Sequence, residues 1–436
     1  MTMINAYVPG TGTGDAAEDA LIERRRRLLG PAYRLFYAHP LHVVRGQGVW
    51  LYDQAGKAYL DVYNNVASVG HCHPVVVEAL SRQAAILNTH TRYVHEGILD
   101  YAEKLLAEGP PELGHLMMTC TGSEANDLAL RIARKHTGGT GIIVTELAYH
   151  GVTGVLAELS PSLGPAVARG PHVRLVPAPD GYRGEGDVGA RFLAGVEAAL
   201  ADFADKGIRP AALLVDTIFS SDGVFADPPG FLASAVAAVR AAGGLFIADE
   251  VQPGFGRLGT GMWGFARHGL VPDMATVGKP MGNGHPVAGV MTRPEVVAEF
   301  GRDIRYFNTF GGNPVSCAVA GAVLSVIKAE GLVENARATG AHLMAGLRRL
   351  GRKHDLIGDL RGSGLFIGAE LVTDRARKTP ASAETARLVN DLRERGVLIS
   401  ATGPFANILK IRPPLVFRPE HADIFLGHLD EALAAI

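Results

Sequence analysis

Two residues combine a reactive type with a telling position. Asp249 ends the apolar run "GLFIADE", and Lys279 follows directly on the run "MATV" in "DMATVGKPMGNGHPVAG". Both therefore sit at the carboxyl ends of strand-like segments, where open α/β sheets place their ligands. Gly278 and Pro280 flank the lysine. Because Pro280 disfavours a helix starting at Lys279, a tight turn at the sheet edge is expected. A lysine withdrawn from water has a lowered ammonium pKa and becomes a nucleophile toward carbonyls. Together the two residues suit an aldehyde-bearing pyridine cofactor, the lysine forming the Schiff base and the carboxylate keeping the ring nitrogen protonated as an electron sink.

Such a cofactor also carries a phosphate, and "LMMTCTGSEANDLALRIARKH" offers a seat for one. An apolar run ends at Thr121-Gly122-Ser123 and a helical pattern begins at once, gathering amides, a hydroxyl and the positive end of a helix around one anion. Ser123 is expected to cap that helix, with Glu124 and Asp127 in its first turn. Tyr149 and His150, in "ELAYHG", close another strand at the same edge, where an aromatic ring could stack on a pyridine face.

The loop after Asp249 contains Gly254, Gly256 and Gly259 in the GxGxxG spacing of a dinucleotide site. That fingerprint needs its first glycine to close the strand and its last to open a helix. Here Glu250 to Pro253 intervene, and "TGMWGFARHG" shows no sustained helical face. The spacing is read as a glycine-rich loop leaving a strand tip. In "GHCHP", His71, Cys72 and His73 lack further ligands at metal-binding spacing, so no metal is expected.

The elements that must position these groups are legible as alternating periods. From about residue 75, helical patterns such as "PVVVEALSRQAAIL" alternate with the short apolar runs "GHLMMTC", "GIIVTE", "HVRLVPAP", "PAALLVDTIF", "GLFIADE", "MATVG" and "VAGVMT". Runs buried on both faces and separated by helices indicate a mainly parallel α/β sheet. Ahead of them, "GVWLYDQAGKAYLDVYNNV" alternates around Asp53–Gly56, as a hairpin does. After "GNPVSCAVAGAVLSVIKAEG" the chain reads as a long helix and then mixed helix and strand. The expected organisation is a flexible arm over residues 1–20, a small α+β domain assembled from residues 21–69 and 316–436, and a large α/β domain over 70–315.

Composition narrows the partners. The chain has 436 residues, 47% hydrophobic, and a net charge of −2 with both signs interspersed, so it lacks the basic field of a nucleic-acid or membrane-surface binder. Arg24 to Arg27 read as the polar face of an N-terminal helix. Three scattered cysteines, Cys72, Cys120 and Cys317, make no disulfide framework. No apolar run reaches the ~20 residues that span a bilayer, and no signal-type segment opens the chain. A cytoplasmic location is expected.

Taken together, "GLFIADEVQPGFGR", "VGKPMGNGHPVAG", "TGSEANDLALR", "AYHG" and "NTFGGNPVSCAVA" resemble the pyridoxal-phosphate-dependent class III aminotransferases of fold type I, over nearly all of the chain after residue 20. The resemblance implies that Lys279 binds the cofactor aldehyde and moves the proton at the substrate carbon. It implies that Asp249 pairs with the pyridine nitrogen, Gln252 meets the phenolic oxygen, Tyr149 stacks on the ring beside His150, and Gly122 with Ser123 binds the phosphate. Thr309, in "FNTFGG", would reach the phosphate of a neighbouring subunit, which implies a homodimer with composite active sites.

Relatives that use glutamate or 2-oxoglutarate commonly carry an arginine before "PPL" and a gating glutamate after the "VEP" strand. In this sequence those positions read Lys410, with Arg412 two residues on, and Ser221, with Asp216 at the strand end. A lysine cannot make the bidentate carboxylate pair of an arginine. The branch resembled through "VYNNVASVGHCHP", "LNTHTRYVHEG" and "GVLISATGPFANILKIRPP" also includes phospho-lyases of amino-alcohol phosphates. Arg92, Lys410 and Arg412 are the candidate substrate-anion residues. The implied reaction is amino transfer from an amine or amino acid to a 2-oxo acid, with phosphate elimination on the same cofactor as the alternative.

Overall fold

The computed structural model describes residues 4–436. Three strands open it: β1 (Val43–Gln47), β2 (Trp50–Asp53) and β3 (Ala58–Asp61), antiparallel in sequence. The β2–β3 turn closes on Gly56, whose φ of 83° is a left-handed value that favours glycine. The apolar runs then become β4 (His115–Thr119), β5 (Gly141–Thr145), β6 (Val173–Val176), β7 (Pro210–Asp216), β8 (Leu245–Asp249), β9 (Met274–Val277) and β10 (Ala288–Thr292). They form one sheet in the order β4-β10-β9-β8-β7-β5-β6, and only β10 runs antiparallel to its neighbours. Every residue of β5, β8, β9 and β10 is buried, as expected for strands covered by helices on both faces.

The helix Gly122–Thr137 shows why the edge of this sheet is rigid. Leu128, Leu130 and Ile132 are buried, each contributing about 1.5–3 kcal/mol relative to exposure. The helix stops at Gly138, in the left-handed conformation at φ 61°. At its start the cap is Thr121, not Ser123: Thr121 Oγ1 accepts from the Glu124 amide, and Glu124 reaches back to the Thr121 amide. This is a reciprocal capping box, and it moves Ser123 into the first turn.

The remainder supplies β11 (Ile357–Ser363), β12 (Phe366–Asp374), β13 (Thr379–Pro380), β14 (Val397–Leu398), β15 (Ala401–Thr402) and β16 (Ile408–Ile411). β14 pairs in parallel with β3, so strands from both ends of the chain share a sheet. The long helix expected after "GNPVSCAVAGAVLSVIKAEG" is Leu332–Lys353, and that segment itself forms a second helix, Pro314–Ala329, the two bent by 59° at Glu330-Gly331. Gly331 takes a left-handed φ of 60°, which breaks the helical ladder.

Two other expectations change. The first helix, Ala16–Leu29, starts inside the segment read as an arm, capped by Asp15, and buries none of its residues, so Arg24 to Arg27 do lie on a solvated helix. Ahead of it, Ala6 bridges Phe36 and the Tyr7 amide donates to Leu35, so residues 5–7 lie along 35–37. A composition rich in Gly and Ala hid these contacts because they are made by backbone. The glycine loop after Asp249 turns not toward a ligand but against the helix Leu332–Lys353: a Cβ at Gly256 would lie 2.6 Å from Val333, and one at Gly259 2.6 Å from the Arg337 backbone.

Candidate active site

Asp249, at the tip of β8, is 4% exposed and fully bonded. Oδ2 accepts from Asn126 Nδ2 at 2.9 Å and faces His150 Nδ1 at 2.7 Å, and Oδ1 accepts from the Val251 amide at 3.0 Å. The contact with a carboxylate sets the imidazole proton on Nδ1. Burial by itself would raise the Asp249 pKa. The bond and charge of His150, the charge of Lys279 and the Asn126 bond outweigh it, and the net shift is downward. The carboxylate is thus held ionised inside the protein, ready to pair with a protonated ring nitrogen. Asn126 is held in turn: its Nδ2 also donates to the His150 carbonyl at 2.9 Å, and its Oδ1 accepts from Thr276 at 2.7 Å.

Lys279 stands one strand away, after β9, in a single 3-10 turn Lys279–Gly282. The segment after β3 clamps this turn: Ser68 Oγ donates to the Pro280 carbonyl at 2.8 Å, and Asn283 bonds the Val69 amide and the Gly70 carbonyl at 2.9 and 2.8 Å. Burial lowers the lysine pKa, against the opposing pull of Asp249. Its Nζ lies 6.0 Å from the centroid of the Tyr149 ring. A partly desolvated amine beside an aromatic face is the arrangement needed to attack a ring-bound aldehyde.

At the start of the helix Gly122–Thr137, the amides of Gly122 and Ser123 precede the intrahelical ladder, and both residues line the same cavity. The approach is close on two sides. A Cβ at Gly122 would meet Val251 at 3.0 Å, and one at Gly151 would meet Ser123 Oγ at 2.6 Å. Gly122, Ser123, Tyr149, His150, Asp249, Gln252 and Lys279 all line one cavity of about 350 Å³. Val251 and Asp216 line it too; Asp216 pairs in register with Asp249 across β7 and β8, and burial raises its pKa.

Gln252 lines the cavity and connects it to Asn65 and Arg412. Its Nε2 donates to Ser220 Oγ at 2.6 Å, and its Oε1 accepts from Asn65 Nδ2 at 3.4 Å and from Arg412. Arg412 also donates to Asn65 Oδ1 at 3.0 Å and stacks over Tyr63, 4.3 Å from the ring centroid. Lys410 and Arg412, two residues apart on and just after β16, share one face, and are 6% and 8% exposed. Burial, then the Arg412 charge, push the Lys410 pKa well down, while Asp216 opposes. Among the described residues, neither cation has a carboxylate within 4 Å.

Neither Lys410 nor Arg412 lines this cavity, which Arg412 meets only through Gln252; Arg92 and Thr309 lie away from it too. Both are exposed, and Arg92 stacks over Phe307, 3.8 Å from the ring centroid, two residues from Thr309. His71 and His73 turn to separate carboxylates, Asp61 and Glu330, at 2.8 and 3.1 Å. Sequence reasoning missed Asn126, Thr276 and Val251. The first two had a signal: Asn126 interrupts the apolar face of its helix, and Thr276 is the one polar residue in "MATV".

The residues present fit pyridoxal phosphate. Free amides and a glycine cradle suit its phosphate, a buried ionised carboxylate its ring nitrogen, and a desolvated lysine its aldehyde.

The sequence pattern described as aminotransferase class-III matches residues 36–433. An alanine–glyoxylate aminotransferase 2-like protein of Drosophila melanogaster is 41% identical, the match covering 95% of this chain and 87% of the relative. Ethanolamine-phosphate phospho-lyase homolog 1 of Caenorhabditis elegans is 38% identical over 99% and 98%. Among solved structures, a phospholyase from Arthrobacter in complex with phosphoethanolamine superposes with a TM-score of 0.93 and 46% identity, over 95% of this chain and 100% of that one. An (S)-enantioselective omega-transaminase from Thermomicrobium roseum gives a TM-score of 0.86 and 30% identity, over 97% and 99%. The chain belongs to the class III aminotransferase family and is a pyridoxal-phosphate-dependent enzyme of fold type I.

Proposed function

We propose that this enzyme is a phospho-lyase that eliminates phosphate from a small amino-alcohol phosphate such as phosphoethanolamine, releasing ammonia and an aldehyde. The observation that carries the reading is the buried pair Lys410 and Arg412, without a carboxylate partner among the described residues. An unpaired buried charge costs several kcal/mol, and a phosphate dianion offsets two such cations where a carboxylate offsets one. Ser221, at the gating-glutamate position, cannot neutralise either cation. The likeness to the phosphoethanolamine-bound phospholyase supports the same choice. This reverses the order expected from sequence, in which amino transfer came first.

Bound in the cavity, pyridoxal phosphate supplies an electron sink for the carbon that carries the substrate nitrogen. Lys279 Nζ takes the proton from that carbon. Lys410 and Arg412 hold the substrate phosphate and balance its charge as the bond from the adjacent carbon to oxygen breaks, its electron pair leaving with phosphate. Water completes the products, aldehyde and ammonia. Asp249, fixed by His150 and Asn126, would hold the proton on the cofactor's ring nitrogen, and Tyr149 and Val251 would line the space its ring takes.

Amino transfer to a 2-oxo acid is the second reading, supported by the Drosophila relative and by the guanidinium of Arg412 as a carboxylate clamp. Incubation of holoenzyme with phosphoethanolamine and no oxo acid separates the two. Equal release of inorganic phosphate and ammonia is expected; amino transfer that leaves the phosphate on the substrate overturns the reading. A homodimer completes the proposal: Tyr93, Val94 and Phe310 are 65%, 94% and 70% exposed around Arg92 and Thr309, an apolar patch suited to meet a second copy and lend Thr309 to its cavity. Sedimentation as a monomer with full cofactor affinity would rule that out.

A further inference from the structure

The N-terminal strap, residues 5–7 lying along 35–37, meets Ser400. Asn5 is 1% exposed, and its Oδ1 accepts from Ser400 Oγ at 3.1 Å. The register of β15 and β16 sets Ser400 opposite Lys410, and the Lys410 amide donates to the Ser400 carbonyl at 2.9 Å. Directly opposed residues in an antiparallel pair project to the same face, roughly 5 Å apart. On the other flank Lys410 pairs with Gly368, which brings no side chain. The Asn5 carboxamide is therefore one hydrogen bond from the residue that lies opposite Lys410 in the strand pair.

Asn5 Nδ2 is buried and has no partner among the described residues, as is also true of Arg412 Nε. A buried amide donor left unbonded is destabilising, so it calls for an acceptor. The strap is fastened to this spot. Tyr37, held at a positive φ of 70°, donates its amide to the Asn5 carbonyl and its hydroxyl to the Ile399 carbonyl at 3.0 Å. A left-handed conformation at a buried tyrosine persists only where its surroundings impose it.

We propose that Asn5 is a further substrate-binding residue, whose amide donates a hydrogen bond to the anionic group held by Lys410 and Arg412. Resting on the proposed function, that group is the substrate phosphate. The N-terminal strap is then part of the specificity wall.

The test compares steady-state phosphate release by Asn5→Ala, Asn5→Asp and Ser400→Ala holoenzymes. Losing one hydrogen bond to a charged group raises KM for phosphoethanolamine about tenfold, with kcat within about twofold. Asn5→Asp keeps the acceptor for Ser400 but replaces the donor with oxygen, so its KM rises at least as far. Ser400→Ala keeps the donor and moves KM less. A lowered melting temperature with unchanged KM in both Asn5 variants would make the residue merely structural and overturn the inference. If the wild-type enzyme transfers amino groups without releasing phosphate, the functional reading fails by itself. The KM for the oxo acid in the same variants then decides Asn5, a rise supporting its role and no change refuting it.

Discussion

The ring site and the proposed anion site beside it are built on opposite rules. At the ring site the Asp249 carboxylate is held by three bonds between 2.7 and 3.0 Å and Asn126 is fixed by Thr276, only His150 Nε2 being left without a partner among the described residues. At the anion site Lys410 is a buried cation without an acid, and Asn5 Nδ2 and Arg412 Nε lack partners among the described residues. The first site is preorganised for a group that stays bound, so its polar atoms can satisfy one another. On the proposed function the second would meet a group that comes and goes, which accounts for donors left unbonded at a cost in stability.

The strongest way to break this comparison is Lys279→Ala. It should abolish the visible absorbance of lysine-bound cofactor and lower turnover by about 10⁴-fold or more, since nucleophile and proton carrier vanish together. Retained turnover would remove Lys279 from the chemistry. Asp249→Ala comes next, with a loss of roughly 10²–10³-fold in kcat for either reaction type; an effect on KM alone would mean that the carboxylate only packs the ring. Lys410→Met should act on the other site only, raising KM for phosphoethanolamine by about a hundredfold while the cofactor spectrum stays unchanged.

Lys410 also gives the anion site a pH signature. Its ammonium loses its proton at lower pH than an ordinary lysine, because of burial. KM should therefore climb as pH rises through that lowered value, and Lys410→Arg should remove the climb.

Smaller effects test how completely the ring site is bonded. Asn126→Ala leaves the Thr276 hydroxyl and the His150 carbonyl short of a partner and should cost about 2 kcal/mol of stability, read by denaturant unfolding. Glu250 follows Asp249 and anchors the outgoing loop, accepting from the Gly264 and Phe265 amides at 2.7 and 2.9 Å and from Thr217 Oγ1 at 3.0 Å. Burial pushes its pKa up from 4.5 to about 7, past the lowering effect of those donors. The folded chain keeps a proton that the unfolded chain releases, so this contribution to stability is full below pH 4.5 and is lost as pH rises through about 7. Glu250→Gln should flatten that part of the melting-temperature profile; an unchanged slope would assign it to other groups.

The sequence exposed the ring site far better than the anion site, for a physical reason. Asp249 and Lys279 end runs of apolar residues, so a polar residue at a strand tip stands out and the sheet does the positioning. All seven runs named from periodicity became strands of that sheet, because burial on both faces leaves a local mark. Asn5 carries no such mark. Its burial comes from Ser400, 395 positions away, and from a strap held by backbone bonds that any sequence can make. The capping of the helix Gly122–Thr137 was misread by two residues, since Thr121 and Ser123 are both competent caps and only Glu124, three residues after Thr121, distinguishes them. Arg92 and Thr309 could be placed near the cavity only by family likeness, and within one chain they lie together on an exposed patch.

The most direct test of an anion site built for a phosphate dianion measures two specificity constants on one holoenzyme preparation. One is kcat/KM for phosphate release from phosphoethanolamine, and the other is kcat/KM for amino transfer from alanine to glyoxylate. The two-cation site predicts that the first exceeds the second by about a hundredfold or more. An enzyme that transfers amino groups efficiently and releases no phosphate would contradict it.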